Sequence, residues 1–195
     1  MTVPRVGVVV PIRAFALGKA RLSEHLDTAE RSALGMELAG RVVGAVDGID
    51  TVVVTSDPDV RDWASARALA LLDDPGSLDA AADAGRRWAD ARDHVRIVVV
   101  HADLPRARSL APLLVDTGND VVAAVPCHRD DGTPALSVPV AAPFTFAYGP
   151  DSFRRHAASA RRAGLGFRVV RDPDLAFDVD LPGDLDDLGD LANTR

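Results

Sequence analysis

Arg13, Lys19 and Arg21 lie close together in the chain, and Lys19 is the only lysine among 22 basic residues. Arginine grips phosphate oxygens in pairs and lysine meets them as a compact charge, so a loop holding both suits a polyphosphate. The plainer reading is a solvated loop with snorkelling bases. A second set of residues is acidic. Asp103, in His101-Ala102-Asp103-Leu104-Pro105, is equally suited to a metal ion and to capping the next turn. Asp178 and Asp180 alternate within Phe177-Asp178-Val179-Asp180-Leu181-Pro182, and alternate side chains of an extended segment share a face. If the three carboxylates meet, they repel one another unless a hard cation lies between them; Mg²⁺ is held by few carboxylates together with substrate phosphates. The alternative for the second pair is capping of the last helix by Asp180 or Asp184.

Two further stretches carry polar groups at turns: Asp131-Gly132-Thr133-Pro134-Ala135, and Phe146-Ala147-Tyr148-Gly149-Pro150-Asp151-Ser152. Ser152 at a helix start, with the backbone amides there, offers an anion site; an ordinary early helix residue is the alternative. Other chemistries are absent. There is no G-x-G-x-x-G, and Gly18-Lys19 is not a P-loop, because Arg13 and Ala20 stand where glycine and Ser or Thr are needed. The histidines His25, His94, His101, His128 and His156 show no zinc spacing, and Cys127 is the single cysteine. His128 beside Cys127 is poor geometry for activating a thiol.

These residues must be positioned by an alternation of strands and helices. Val6–Val10, closed by Pro11, reads as a buried strand, with Thr28 capping a helix from Ala29 to Val46 that ends at Gly48. Thr51–Thr55 is a second strand, followed by a helix through Leu69. A helix over Leu78–Ala91 and a strand over Arg96–Val100 come next. Ser109 caps a short helix to Val115, and strands follow at Val121–Val125 and Ala135–Val140. A helix from Asp151 through Ala163, a strand at Phe167–Val170 and a last short helix opened by Pro182-Gly183 complete the pattern. Such alternation predicts an α/β fold with a mostly parallel sheet flanked by helices. In such sheets ligands bind beyond the carboxyl ends of the strands, where the residues singled out above lie.

With 195 residues, 47% of them hydrophobic, the chain predicts one domain, residues 1–195, with a full core. The formal net charge of −7 argues against nucleic acid as a partner. No apolar run reaches the ~18 residues of a membrane span, and Met1–Arg5 lacks the opening of a secretory signal. A cytoplasmic protein with no membrane partner is expected.

The residues resemble the 2-phospholactate or phosphoenolpyruvate guanylyltransferases of coenzyme F420 biosynthesis. The resemblance rests on Pro11 with Gly18-Lys19-Ala20-Arg21-Leu22, on Ala102-Asp103-Leu104-Pro105 and on Gly132-Thr133. It extends through Tyr148-Gly149-Pro150-Asp151-Ser152-Phe153 with His156, and Asp178-Val179-Asp180-Leu181-Pro182-Gly183-Asp184-Leu185. It implies a Rossmann-like nucleotidyltransferase fold with a mixed sheet, and transfer of GMP from GTP to a three-carbon phosphoacid. It further implies Asp103, Asp178 and Asp180 as Mg²⁺ ligands, with Lys19 and Asp103 as catalytic residues. Pro11, Arg13, Lys19 and Arg21 are then nucleotide contacts, and Thr133, Gly149 and Ser152 contacts to the phosphoacid. The transferase that consumes the unstable product is a candidate partner. Three positions depart from the family pattern: Pro134 replaces asparagine, Ala20 replaces serine, and Leu78-Asp79 replaces Leu-Asn. Another nucleotidyltransferase or a glycosyltransferase of this fold, or a non-catalytic nucleotide-binding protein, are the alternatives; Asp103-Leu104-Pro105 lacks the Asp-x-Asp of the glycosyltransferases.

Overall fold

The computed structural model describes residues 5–16, 19–115 and 118–192; Gly18 of the loop motif lies outside them. In chain order the elements are β1 (Val6–Pro11), α1 (Thr28–Gly44), β2 (Asp50–Val54), α2 (Pro58–Ser65) and β3 (Ala70–Leu72). Then follow α3 (Leu78–Asp90), β4 (Arg96–Val100), α4 (Ala111–Leu114), β5 (Val121–Val125) and β6 (Ala135–Pro139). The last are α5 (Ser152–Arg162), β7 (Gly166–Val169), α6 (Pro173–Ala176) and α7 (Pro182–Ala192). A 3-10 turn at Ala20–Leu22 follows the loop after β1.

The valine-rich strands form a seven-stranded sheet in the order β3-β2-β1-β4-β6-β5-β7. All neighbours pair parallel except β6, which runs antiparallel to both β4 and β5. Because strand residues alternate between faces, each strand feeds two cores. Val8, Val10, Val53, Val98 and Val100 pack with α1, α2 and α4. Val9, Val52, Val54, Ile97 and Val99 pack with α3 and α5. Helix α3 approaches β1 at Gly85, where a Cβ would fall inside contact distance of both Val9 methyls. Val9 is fully buried and β-branched, so it cannot turn away. Gly85→Ala is expected to cost about 1–3 kcal/mol of stability, read as a lowered melting temperature; an unchanged melt would mean that α3 lifts freely from the sheet.

The predicted α/β architecture is observed, with differences at its edges. Asp27, not Thr28, caps α1: its carboxylate accepts the Glu30 amide at 2.8 Å while the Glu30 side chain accepts the Asp27 amide at 2.8 Å. This reciprocal box outcompetes a lone threonine. Helix α1 ends at Gly44 rather than Val46. The helix expected to run through Leu69 stops at Ser65, and after the left-handed Ala68 (φ 55°) the chain enters the edge strand β3. Three residues are too few for a visible alternation. Ser109 accepts the Ala111 amide, but Leu110 holds the cap position of α4. Helix α6 was not anticipated either; Asp172 caps it by accepting two amides.

Candidate active site

The carboxyl ends of β1, β2 and β4 open onto a cavity of about 430 Å³. Pro11, Arg13 and Lys19 enter its wall from the loop after β1, and His101 and Asp103 from the end of β4. Asp74, Gly76 and Ser77 come from the approach to α3, and Asp180 from the segment before α7. Arg21 lies in the 3-10 turn, exposed and not among the residues that line this cavity.

Lys19 is bound into the floor of the site. Its backbone is left-handed (φ 58°), a conformation that costs a non-glycine residue about 1 kcal/mol or more. Its ammonium lies 2.6 Å from Asp103 Oδ2, donates to the Val179 carbonyl, and lies 3.7 Å from Asp180 Oδ1. Only 8% of the side chain is exposed. The Val179 amide returns a hydrogen bond to the Asp103 carbonyl, so the β1 loop, the end of β4 and the C-terminal segment are tied at one point. Burial pushes the Asp103 carboxyl up, but the Lys19 ammonium and His101 outweigh it and hold the group below the ordinary carboxylate range. Asp103 Oδ1 and His101 Nε2 are buried without a hydrogen-bond partner, two polar atoms at the cavity available to a ligand.

Asp178 and Asp180 do not have equivalent surroundings. Asp178 Oδ1 lies 3.1 Å from His128 Nδ1 and 3.6 Å from Arg129 Nη1. Burial raises the pKa of Asp178, and the negative charges of Asp103 and Asp180 raise it further. Asp178 thus turns toward His128 and Arg129, whereas Asp103 and Asp180 line the cavity around Lys19. Among the described residues no three His, Cys, Asp or Glu side chains form a ready metal cage; the Lys19 ammonium is the cation between Asp103 and Asp180. The capping alternative is divided: Asp184 caps α7 by accepting the Asp180 and Leu181 amides at 2.8 and 2.7 Å, while Arg129 donates to both its oxygens. Asp180, with 41% of its side chain exposed, is left out of that cap.

Thr133 and Ser152 meet deep in the protein, Oγ1 to Oγ at 3.0 Å, with 1% and 2% exposure. They are not among the residues lining the main cavity. The helix-start amides expected to hold an anion are engaged: Ser152 donates to Gly149 O and Phe153 to Asp131 O. The hydroxyls, not those amides, are the polar groups on offer. Gly149 takes φ 103°, a value that glycine adopts without strain, and makes the turn that delivers Ser152. Asp79, a departure from the family pattern, accepts the Tyr148 amide at 2.6 Å and anchors the same segment. Pro134 offers its carbonyl to the His101 amide at 2.8 Å, which sets the Thr133 loop beside the Asp103 loop.

The spacing of the histidines concealed their roles. His101 lines the cavity, His128 faces Asp178, and His156 is fully buried beside Thr133. Arg129 and Asp184 were missed as a pair because 55 residues separate them. The one available signal was His101, two residues before Asp103 at a strand end.

A family model described as Guanylyl transferase CofC like matches residues 6–191. The chain belongs to this family. A phosphoenolpyruvate guanylyltransferase of Sphaerobacter thermophilus is 35% identical over 191 residues, covering 94% of this chain and 92% of the relative. One from Roseiflexus castenholzii is also 35% identical, over 94% of this chain and 86% of its own length. In shape the chain is similar to a nucleotidyl transferase from Methanothermobacter thermautotroptrophicus, with a TM-score of 0.64 at 14% identity, covering 98% of this chain and 99% of that one. The guanylyl transferase CofC-like chain thus has the fold its strand pattern predicts, and no helix among its described residues is long and apolar enough to cross a membrane.

Proposed function

We propose that the protein transfers GMP from GTP to a three-carbon phosphoacid, phosphoenolpyruvate or 2-phospho-L-lactate, releasing pyrophosphate, in the assembly of coenzyme F420. The observation that carries this reading is the Lys19–Asp103–Asp180 cluster at the base of the 430 Å³ cavity, in a chain whose relatives bear that enzyme's name. A phosphate oxygen of the acceptor attacks the α-phosphorus, and the bond from that phosphorus to the bridging oxygen breaks as pyrophosphate leaves. The nucleophile is already an anion at neutral pH, so no general base is needed; positioning and charge neutralisation supply the catalysis.

Arg13 and Lys19 bring positive charge to the triphosphate, and Pro11 shapes the wall beneath it. Thr133, Gly149 and Ser152 hold the phosphoacid. The donor set fits Mg²⁺, which takes one or two carboxylates beside substrate phosphates: Asp103 has a buried, unpartnered Oδ1 and Asp180 is open to the cavity. Asp178 is the third candidate ligand, drawn at present toward Arg129 and His128. Mg²⁺, when bound, neutralises charge on the phosphates of GTP. The reading goes with a cytoplasmic location, and with the transferase that consumes the unstable product as the expected partner.

The test is mass spectrometry of products from GTP and Mg²⁺ with each phosphoacid, alongside pyrophosphate release. A guanylylated acid and release that depends on the phosphoacid are expected. Equal release from GTP alone would identify a hydrolase and overturn the reading.

A further inference from the structure

Two hydroxyls in contact possess two hydrogens, and one is used between them. Whether the other remains available depends on the third group in the chain. At Thr133 and Ser152 that group is His156, one helical turn beyond Ser152 on α5. Its Nε2 accepts the Ala147 amide at 3.0 Å, and its Nδ1 lies 3.1 Å from Thr133 Oγ1. A backbone amide can only donate, so Nε2 carries no hydrogen. A neutral imidazole has one donor and one acceptor nitrogen; the hydrogen is therefore on Nδ1 and points at Thr133. The opposite tautomer would take a hydrogen from the hydroxyl pair and leave it none to give.

The ring is held in this state by its surroundings. His156 is fully buried, with its ring 4.7 Å from that of Tyr148 and 5.8 Å from that of Phe144. Burial first, then the charges of Arg155 and His101, lower its pKa to about 4, so it is neutral at physiological pH. Among the described residues neither hydroxyl makes a further hydrogen bond beyond those to each other and to His156.

We propose that His156 is a positioning residue: its Nδ1–H donates to Thr133 and so keeps one hydrogen of the Thr133–Ser152 pair free to donate to the anionic acceptor. The inference rests on the reading that these two hydroxyls hold the phosphoacid. It assigns the histidine to acceptor affinity rather than to the nucleotide or to bond breaking.

Two substitutions separate the two ring nitrogens. The amide of His156→Gln reaches the Nε2 position and can accept the Ala147 amide, but nothing remains to donate to Thr133. The amide of His156→Asn lies near Nδ1 and restores that donor. In His156→Gln the pair keeps both its hydrogens but loses the donor that turns the free one toward the acceptor; a loss of about one neutral hydrogen bond is expected to raise the KM for phosphoenolpyruvate about three- to tenfold. The KM for GTP and kcat should stay close to the parent's, and His156→Asn should recover most of the loss. A structural role alone would move all three constants, or rank the variants by melting temperature, and would overturn the proposal. Ser152→Ala separates the two layers: an unchanged acceptor KM there removes the phosphoacid from these hydroxyls altogether. A raised KM in Ser152→Ala, with His156→Gln and His156→Asn indistinguishable, removes only the role of the histidine. Should His156→Gln fail to fold, ¹⁵N NMR of the histidine-labelled parent decides. A bare Nε2 and a protonated Nδ1 are expected, and a protonated Nε2 would refute the assignment.

Discussion

Asp103→Asn is expected to lower turnover by about a thousandfold, equivalent to about 4 kcal/mol of transition-state stabilisation. The change keeps the shape of the side chain and removes its charge. Its sequence position suits Asp103 equally to a metal ion and to capping the next turn. The structure instead buries Oδ1 and binds Oδ2 to Lys19, so some stability is lost as well. The ammonium keeps the Val179 carbonyl and Asp180 nearby, so the loss is expected to be about 1–3 kcal/mol, below that of a buried charge left with no partner. Steady-state pyrophosphate release and thermal unfolding on the same preparation check both halves. Near-normal turnover with a lowered melting temperature would make Asp103 a structural partner of Lys19 and move the metal reading to Asp178 and Asp180.

Lys19→Ala is expected to reduce kcat/KM for GTP about a hundredfold or more, with Lys19→Arg intermediate. Alanine retains the left-handed backbone and its cost, so the difference reports the ammonium itself. The pocket for that ammonium is narrow and nearly closed, bounded by Asp103, Asp180 and a carbonyl oxygen. A planar guanidinium has the charge but not the shape. Without the lysine, the acids lose the cation between them. Mg²⁺ should then raise the melting temperature of nucleotide-free Lys19→Ala more than it raises the parent's. Equal shifts in the two proteins would place the ammonium and the metal in separate sites. Kinetics indistinguishable among the three proteins would remove Lys19 from the machinery.

The composition already marked Lys19, because a chain with one lysine and many arginines singles out that position. The strand ends marked Asp103, and the two-residue alternation marked Asp178 and Asp180. All three signals are local, and all three lead to the same corner of the fold. The histidines illustrate the opposite case. His156 acts across 23 residues on Thr133, and His128 faces an acid 50 positions away in the sequence, so no spacing rule reaches them. The engaged amides at the start of α5 were hidden for the same reason: one of their acceptors, the Asp131 carbonyl, comes from a distant loop. Elements followed the same rule. Long valine runs were visible as strands, whereas β3, only three residues long and held by β2, shows no pattern without its partner.

The reversed strand β6 has a consequence for how the two substrates are divided. Because it opposes its neighbours, its beginning rather than its end stands at the carboxyl edge of β1 and β4, and Ala135 pairs with Val100 there. Thr133 lies two residues before that pairing, so the ladder sets its height above the sheet. A slip of one residue would move it by about 3.4 Å and turn its hydroxyl to the opposite face, while Pro11, Lys19 and Asp103 stayed in place. On the proposal that Thr133, Gly149 and Ser152 hold the phosphoacid, recognition of the acceptor is confined to one continuous stretch, from the β5–β6 hairpin to the start of α5. The donor side belongs mainly to the first half of the chain. A lineage can therefore acquire a new acceptor by recasting a single cassette, with the machinery for the nucleotide passed on intact.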